Sequence, residues 1–284
     1  MSDDENFLGD GADLFKEPDG YYKPEAEPTF ETFERDLENV QKGTPQTLSL
    51  RLLGSHPLWG HILWNAAKVF AHFLDQHKEL IADKHVLELG AGAALPSIVT
   101  ALNNPSTVVV TDYPDHDLMD NIRFNTERCL SESVRQRCLH VQGYLWGSDV
   151  SPLLQCIKRT PPVVGTTVDQ GASPSETLSV KSPKFDVIIM CDLIFNHSQH
   201  HAMLRTCREC LSTDPLQPGT VYVFFTHHRP HLAHRDMDMF RMAREEYGFH
   251  VEEFMTKTLP PMFENDPGDR NVRATVHCYR MTLN

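Results

Sequence analysis

From His85 onward the apolar positions of this chain alternate between two rhythms. Short apolar-rich runs (His85–Leu89, Thr107–Thr111, Leu139–Gln142, Phe185–Met190, Val221–Phe225) alternate with longer stretches of helical spacing. Runs such as Val108-Val109-Val110 are β-branched throughout, as in strands buried on both faces. The intervening segments Leu95–Leu102, His116–Cys129, His197–Leu211 and Arg235–Tyr247 predict helices. Ahead of them, Leu58, Trp59, Ile62, Leu63, Ala66, Val69, Phe70, Phe73 and Leu74 predict another amphipathic helix. Two further strands, His250–Met255 and Val272–Arg280, follow one another with no helical pattern between them, as in an antiparallel hairpin at a sheet edge. The sum is a doubly wound α/β domain: a mainly parallel sheet of seven strands, helices on both faces, and an antiparallel edge strand.

Two segments fall outside the rhythm. Residues 1–45 are rich in Asp, Glu and Pro and predict a flexible acidic arm with one short helix around Phe30–Val40. Pro152–Pro183, rich in Pro, Ser, Thr and Gly, predicts a mobile surface insertion within a single domain spanning 46–284.

Charge sharpens the division. Residues 1–38 hold thirteen acidic side chains against Lys16, Lys23 and Arg35, which accounts for −10 of the net −13. A nearly neutral body argues against sequence-independent nucleic-acid binding, which needs a basic surface. No apolar run reaches the roughly 20 residues that span a bilayer, and the polar, acidic start predicts no secretory leader. Seven cysteines, an odd number scattered in apolar or helical contexts, are expected to be reduced thiols, as in the cytosol or nucleus. Cys207 and Cys210 form a lone C-x-x-C inside a helical stretch, so no metal is expected.

The chemistry concentrates in Val86-Leu87-Glu88-Leu89-Gly90-Ala91-Gly92-Ala93-Ala94-Leu95, a strand running through glycines into a helix. Small residues there let a ligand approach the backbone. Asp112 ends the next strand 22 residues after Gly90, where a carboxylate can accept hydrogen bonds from both hydroxyls of a ribose. Leu95 stands where a dinucleotide fingerprint needs a third small residue, and Glu88 would repel a pyrophosphate. A cationic adenosine cofactor, S-adenosylmethionine, fits better than NAD.

With Gly54-Ser55-His56-Pro57-Leu58-Trp59-Gly60, Thr111-Asp112-Tyr113-Pro114 and Cys191-Asp192-Leu193-Ile194-Phe195-Asn196-His197 added, the chain resembles the seven-β-strand (class I, Rossmann-like) protein methyltransferases. Within them it resembles the fungal group, formerly labelled nicotinamide N-methyltransferase-like, that modifies the N-terminal amine and adjacent lysine of elongation factor 1A. The resemblance implies that Trp59 lines the cofactor pocket, Gly90, Ala91 and Gly92 pass beneath the methionine moiety, and Asp112 holds the ribose. It further implies that Trp146 packs against adenine, Cys191 forms pocket wall, and Asp192 faces the acceptor amine. Phe195 stands where many relatives have Tyr, giving an apolar wall without a hydroxyl. It also implies a cytoplasmic monomer acting on a protein substrate, with a small-molecule N-methyltransferase or a silent binding module as the rival readings. Plainer roles stay open: core packing for Trp59, Trp146 and Cys191, helix capping for Asp112 and Asp192, and loop positions for His227, His228, His231 and His234.

Overall fold

A computed structural model describes residues 26–54, 60–157 and 183–283. Residues 1–25 of the expected arm, Trp59 and the 158–182 portion of the expected insertion lie outside the described residues.

The central sheet has seven strands in the order β10-β11-β9-β6-β3-β4-β5. Its parallel part comprises β3 (His85–Leu89), β4 (Thr107–Asp112), β5 (Leu139–Gly143), β6 (Val187–Cys191) and β9 (Thr220–Thr226). β10 (Phe249–Thr258) and β11 (Thr275–Leu283) form the expected antiparallel hairpin. The antiparallel member, β11, lies one place in from the edge, between β9 and β10, so the outermost strand runs with the parallel set. A separate two-residue pair, β7 (Thr213–Asp214) with β8 (Gln217–Pro218), closes the turn before β9.

Alternation along each strand feeds two cores. Val86, Val108, Val110, Val187, Ile189 and Phe224 pack on one face with α1 (Asn65–Gln76), α2 (Leu95–Leu102), α3 (His116–Cys129) and α4 (Glu132–Cys138). Leu87, Leu89, Val109, Ile188, Met190 and Phe225 pack on the other with α5 (Ser151–Gln155), α6 (His200–Cys210) and α7 (Ala233–Glu245). Burial on both faces is why β4, β6 and β9 read as nearly continuous apolar runs. Cys207 and Cys210 are part of the second core, as buried free thiols.

Three expectations about segments change. The first helix begins at Asn65, later than the periodic stretch suggested, so Ile62 and Leu63 lie in the approach to it. The Phe30–Val40 stretch is not a helix: Thr29–Glu34 is strand β1, paired antiparallel with β2 (Thr47–Leu52). The apolar alternation that defines this hairpin sits in β2, where Leu48, Leu50 and Leu52 are buried. The expected insertion starts later than 152, because Leu153 and Ile157, four residues apart, are buried in and just beyond α5. Helices α4 and α8 (Arg270–Ala274) are too short to leave a periodic signal.

The hairpin is fastened to the domain by a buried ion pair. Arg35 Nε and Nη2 donate to Asp75 on α1, each at 2.7 Å, and Asn103 Nδ2 donates to the same carboxylate at 2.8 Å. Asp75→Asn keeps the volume and removes the charge that Arg35 is paired with. We expect a cost of about 2 kcal/mol, seen in thermal unfolding as a Tm lower by roughly 4–8 °C. An unchanged Tm would mean that apolar packing alone holds the hairpin.

Candidate active site

In a sheet of this order, strands diverge in sequence direction on either side of β3, and the crevice opens at the carboxyl ends of β3 and β6. Gly90 and Gly92, after β3, have φ of +61° and +53°, and Ala94 has +62°. At Gly90 a Cβ would meet the Leu193 side chain at 2.6 Å and the Trp146 ring at 3.2 Å, so a larger residue would displace both. The loop is held from β4: Ala91 N–H donates to Thr111 O at 3.0 Å, and Thr111 Oγ1 donates to Glu88 O at 2.7 Å.

Asp112, at the end of β4, is 9% exposed. Its Oδ2 accepts from Gly92 N–H and its Oδ1 from Tyr113 N–H, both at 2.7 Å. Capping of the next helix falls to Asp115, which accepts from Asp117 and Leu118 N–H, so the capping alternative for Asp112 is set aside.

Glu88 is fully buried under the loop, where Ser97 at the start of α2 donates to its Oε2 through both N–H and Oγ–H. Burial pushes its carboxyl up to about 8, against the lowering effect of the Ser97 hydrogen bonds and with a smaller push from Asp112. The folded protein therefore retains a proton that the unfolded chain loses near pH 4.5. Its contribution to stability is full below that pH and is lost as pH rises through about 8. Glu88→Gln, which is neutral throughout, should flatten the decline in Tm between those values. A wild-type Tm that stays level across the window would show that Glu88 is ionised in the fold.

Asp192 follows β6 in a left-handed conformation (φ +52°), which Asp tolerates better than most residues. Its N–H donates to Phe224 O at 2.8 Å, and its Oδ1 accepts from Thr226 N–H at 2.9 Å and lies 3.1 Å from His228 Nε2. It caps no helix. Its Oδ2 is buried with no hydrogen-bond partner among the described residues.

One cleft joins these groups. Gly90, Ala91, Gly92, Asp112, Trp146, Cys191, Asp192 and Phe195 all line it, so every described site residue expected from sequence comes together. Trp146 is half-buried between the cleft and the second core, and Cys191 is buried, its thiol pushed well up by desolvation. The cleft also uses Trp64, Leu145 and Gln199, which the sequence analysis does not single out, beside Glu88, Ile62 and Tyr113. Trp64, the residue before α1, packs its ring 4.8 Å from that of His228 and 6.1 Å from that of Phe263. Of the four histidines after β9, His228 reaches Asp192 and His227 reaches Asp236. Among the described residues, no group of three His, Cys, Asp or Glu is arranged to hold a metal.

Residues 46–158 match the family described as "Lysine methyltransferase". The chain is 38% identical over 280 residues to the protein N-terminal and lysine N-methyltransferase efm7 of Schizosaccharomyces pombe, covering 99% of this chain and 98% of that one. It is 44% identical over 248 residues to the protein of the same name in Cryptococcus neoformans var. neoformans, covering 83% and 75%. Among solved structures, a SAM-dependent methyltransferase from Streptococcus mutans superposes with a TM-score of 0.52 at 13% identity, covering 83% of this chain and 53% of the other. That likeness shows the fold.

Proposed function

Because the chain belongs to the family of protein N-terminal and lysine N-methyltransferases, we propose that it methylates the N-terminal α-amine and the adjacent lysine of translation elongation factor 1A. The methyl donor of this family is S-adenosylmethionine, and the cleft residues fit it. Positive-φ glycines leave backbone open beside a carboxylate at the end of the neighbouring strand, with an aromatic and apolar wall opposite. When bound, it supplies a methyl group on a sulfonium sulfur.

The observation that carries the acceptor assignment is the Asp192 carboxylate. Asp192 lines the cleft, one of its oxygens is held by two protein groups, and the other is buried without a hydrogen-bond partner among the described residues. In this reading, Gly90, Ala91 and Gly92 pass beneath the methionine moiety, Asp112 holds the ribose hydroxyls, Trp146 packs on adenine, and Cys191 closes the wall between them. Asp192 Oδ2 accepts a hydrogen bond from the incoming amine and fixes its lone pair in line with the methyl and sulfur. Transfer would form the N–C bond as the C–S bond breaks, so these residues would act largely by positioning. The nitrogen must be neutral to attack. An α-amine, with pKa about 8, loses its proton readily, whereas lysine at about 10.4 needs help. Trp64, Leu193 and Phe195 would desolvate the amine and so favour its uncharged form.

A protein substrate, action as a monomer and a cytoplasmic setting belong to the same reading, supported by the buried free thiols and the acid-rich N-terminal stretch. The described residues include no helix long and apolar enough to cross a membrane. The test is to incubate the protein and labelled S-adenosylmethionine with an extract deficient in elongation factor 1A methylation, and to map the label by mass spectrometry. A single labelled protein, elongation factor 1A modified at its N-terminus and adjacent lysine, is expected. Label confined to small molecules would overturn the assignment.

A further inference from the structure

The turn after β9 carries chemistry that the site as assigned does not use. One buried carboxylate, Asp236 on α7, lies 2.6 Å from His227 Nδ1 through Oδ2 and 2.6 Å from His197 Nε2 through Oδ1. It thereby ties the end of β9 to the loop that carries Asp192, Phe195 and Asn196. The next residue, His228, turns the other way. Its Nε2 meets Asp192 Oδ1 at 3.1 Å, its side chain is 13% exposed, and its ring packs on Trp64, which itself lines the cleft.

We propose that His228 is a positioning residue for methyl transfer, holding the Asp192 carboxylate so that Oδ2 is the oxygen presented to the acceptor nitrogen. The inference rests on the reading that Asp192 receives the amine. A carboxylate oxygen offers only lone pairs, so the hydrogen between the two groups sits on His228 Nε2. With Thr226 N–H as a second donor, Oδ1 is held from two directions. A carboxylate held at one oxygen by a single donor can swing about its Cβ–Cγ bond and exchange its oxygens. Two donors on Oδ1 remove that freedom and leave Oδ2 as the acceptor on the cleft side. Trp64 against the imidazole face and the Asp236 clasp on His227 keep the second donor in register.

The experiment compares full-length His228→Phe, His228→Gln and His228→Asn with wild type. Turnover is measured with labelled S-adenosylmethionine on unmethylated elongation factor 1A, or on whichever protein the wild type labels in extract. Phe keeps a ring against Trp64 but donates nothing. Gln places an N–H near the position of Nε2, whereas the Asn amide stops short of Asp192. His228→Phe and His228→Asn should lose roughly 30-fold to 100-fold in kcat. Their cofactor Kd, read by calorimetry, should match wild type and so also report folding. His228→Gln should recover to within about threefold of wild type, because it restores the donor. The opposite ranking, with Phe active and Gln inactive, would mean that His228 only packs, and would overturn the proposal. Asp192→Asn separates the two claims. If it is impaired while His228→Phe and His228→Asn run at the wild-type rate, the His228 role falls and the Asp192 reading stands. If Asp192→Asn itself runs at the wild-type rate, the acceptor reading falls.

Discussion

Asp192→Asn should lower kcat about 10³-fold, equivalent to about 4 kcal/mol of transition-state stabilisation, and leave cofactor affinity within about twofold. Asn has nearly the same volume as Asp and tolerates the left-handed backbone found here (φ +52°). Its carbonyl oxygen can keep the hydrogen bonds from Thr226 N–H and His228 Nε2–H that anchor Oδ1. The amide nitrogen then falls where Oδ2 was, and a donor replaces the acceptor opposite the incoming amine. An amine that must present a lone pair to the methyl group loses its guide, and its alternative hydrogen bond to Asn would occupy that lone pair. Single-turnover rates with saturating cofactor, beside calorimetric titration of the same variant, make the measurement. A parallel loss of rate and cofactor affinity would place Asp192 in cofactor binding instead of acceptor orientation.

The complementary result is expected from Asp112→Ala: cofactor affinity falls about 10³-fold, or about 4 kcal/mol, while kcat at saturating cofactor stays within severalfold of wild type. Two losses add. A hydrogen bond to a charged acceptor contributes about 1.5–3 kcal/mol, and a carboxylate facing a ribose accepts two. Removing it also releases Gly92 N–H, which Asp112 Oδ2 holds at 2.7 Å, and so loosens the loop that passes under the ligand. Asp112→Asn can keep an acceptor for Gly92 without the charge, and should fall between the two. Equal affinity for Asn and wild type would show that Asp112 serves the loop and not the ribose. An Ala variant that binds as wild type would remove Asp112 from the cofactor site altogether.

The two positions differ in how visible they were beforehand. Asp112 announces itself because loop, strand and acid lie within one βαβ unit, where a fixed separation follows from one helix and one strand. Asp192 marks the end of a buried strand, but its partners come from Thr226 and His228, more than thirty residues away. Trp64 carries no signal of its own: it stands outside the periodic apolar positions of the predicted first helix, yet it precedes that helix and borders the cleft. The β1 strand was likewise hidden among acidic residues, since a surface strand buries little and Phe33 is its one fully buried side chain.

The features legible in the chain alone are those that nearest neighbours along it encode. Strands buried on both faces require unbroken apolar runs, helices between them require a 3.6-residue rhythm, and a glycine turn leading to an acid one strand later defines an adenosine site. The order of the strands, with β11 turned against β9 inside β10, was decided by tertiary structure. So were the αL bend that orients Asp192, the Asp236 clasp and the meeting of Trp64 with His228. These depend on contacts between segments far apart in the chain, whose residue types are compatible with many neighbours until the sheet order and the packing of two cores choose one.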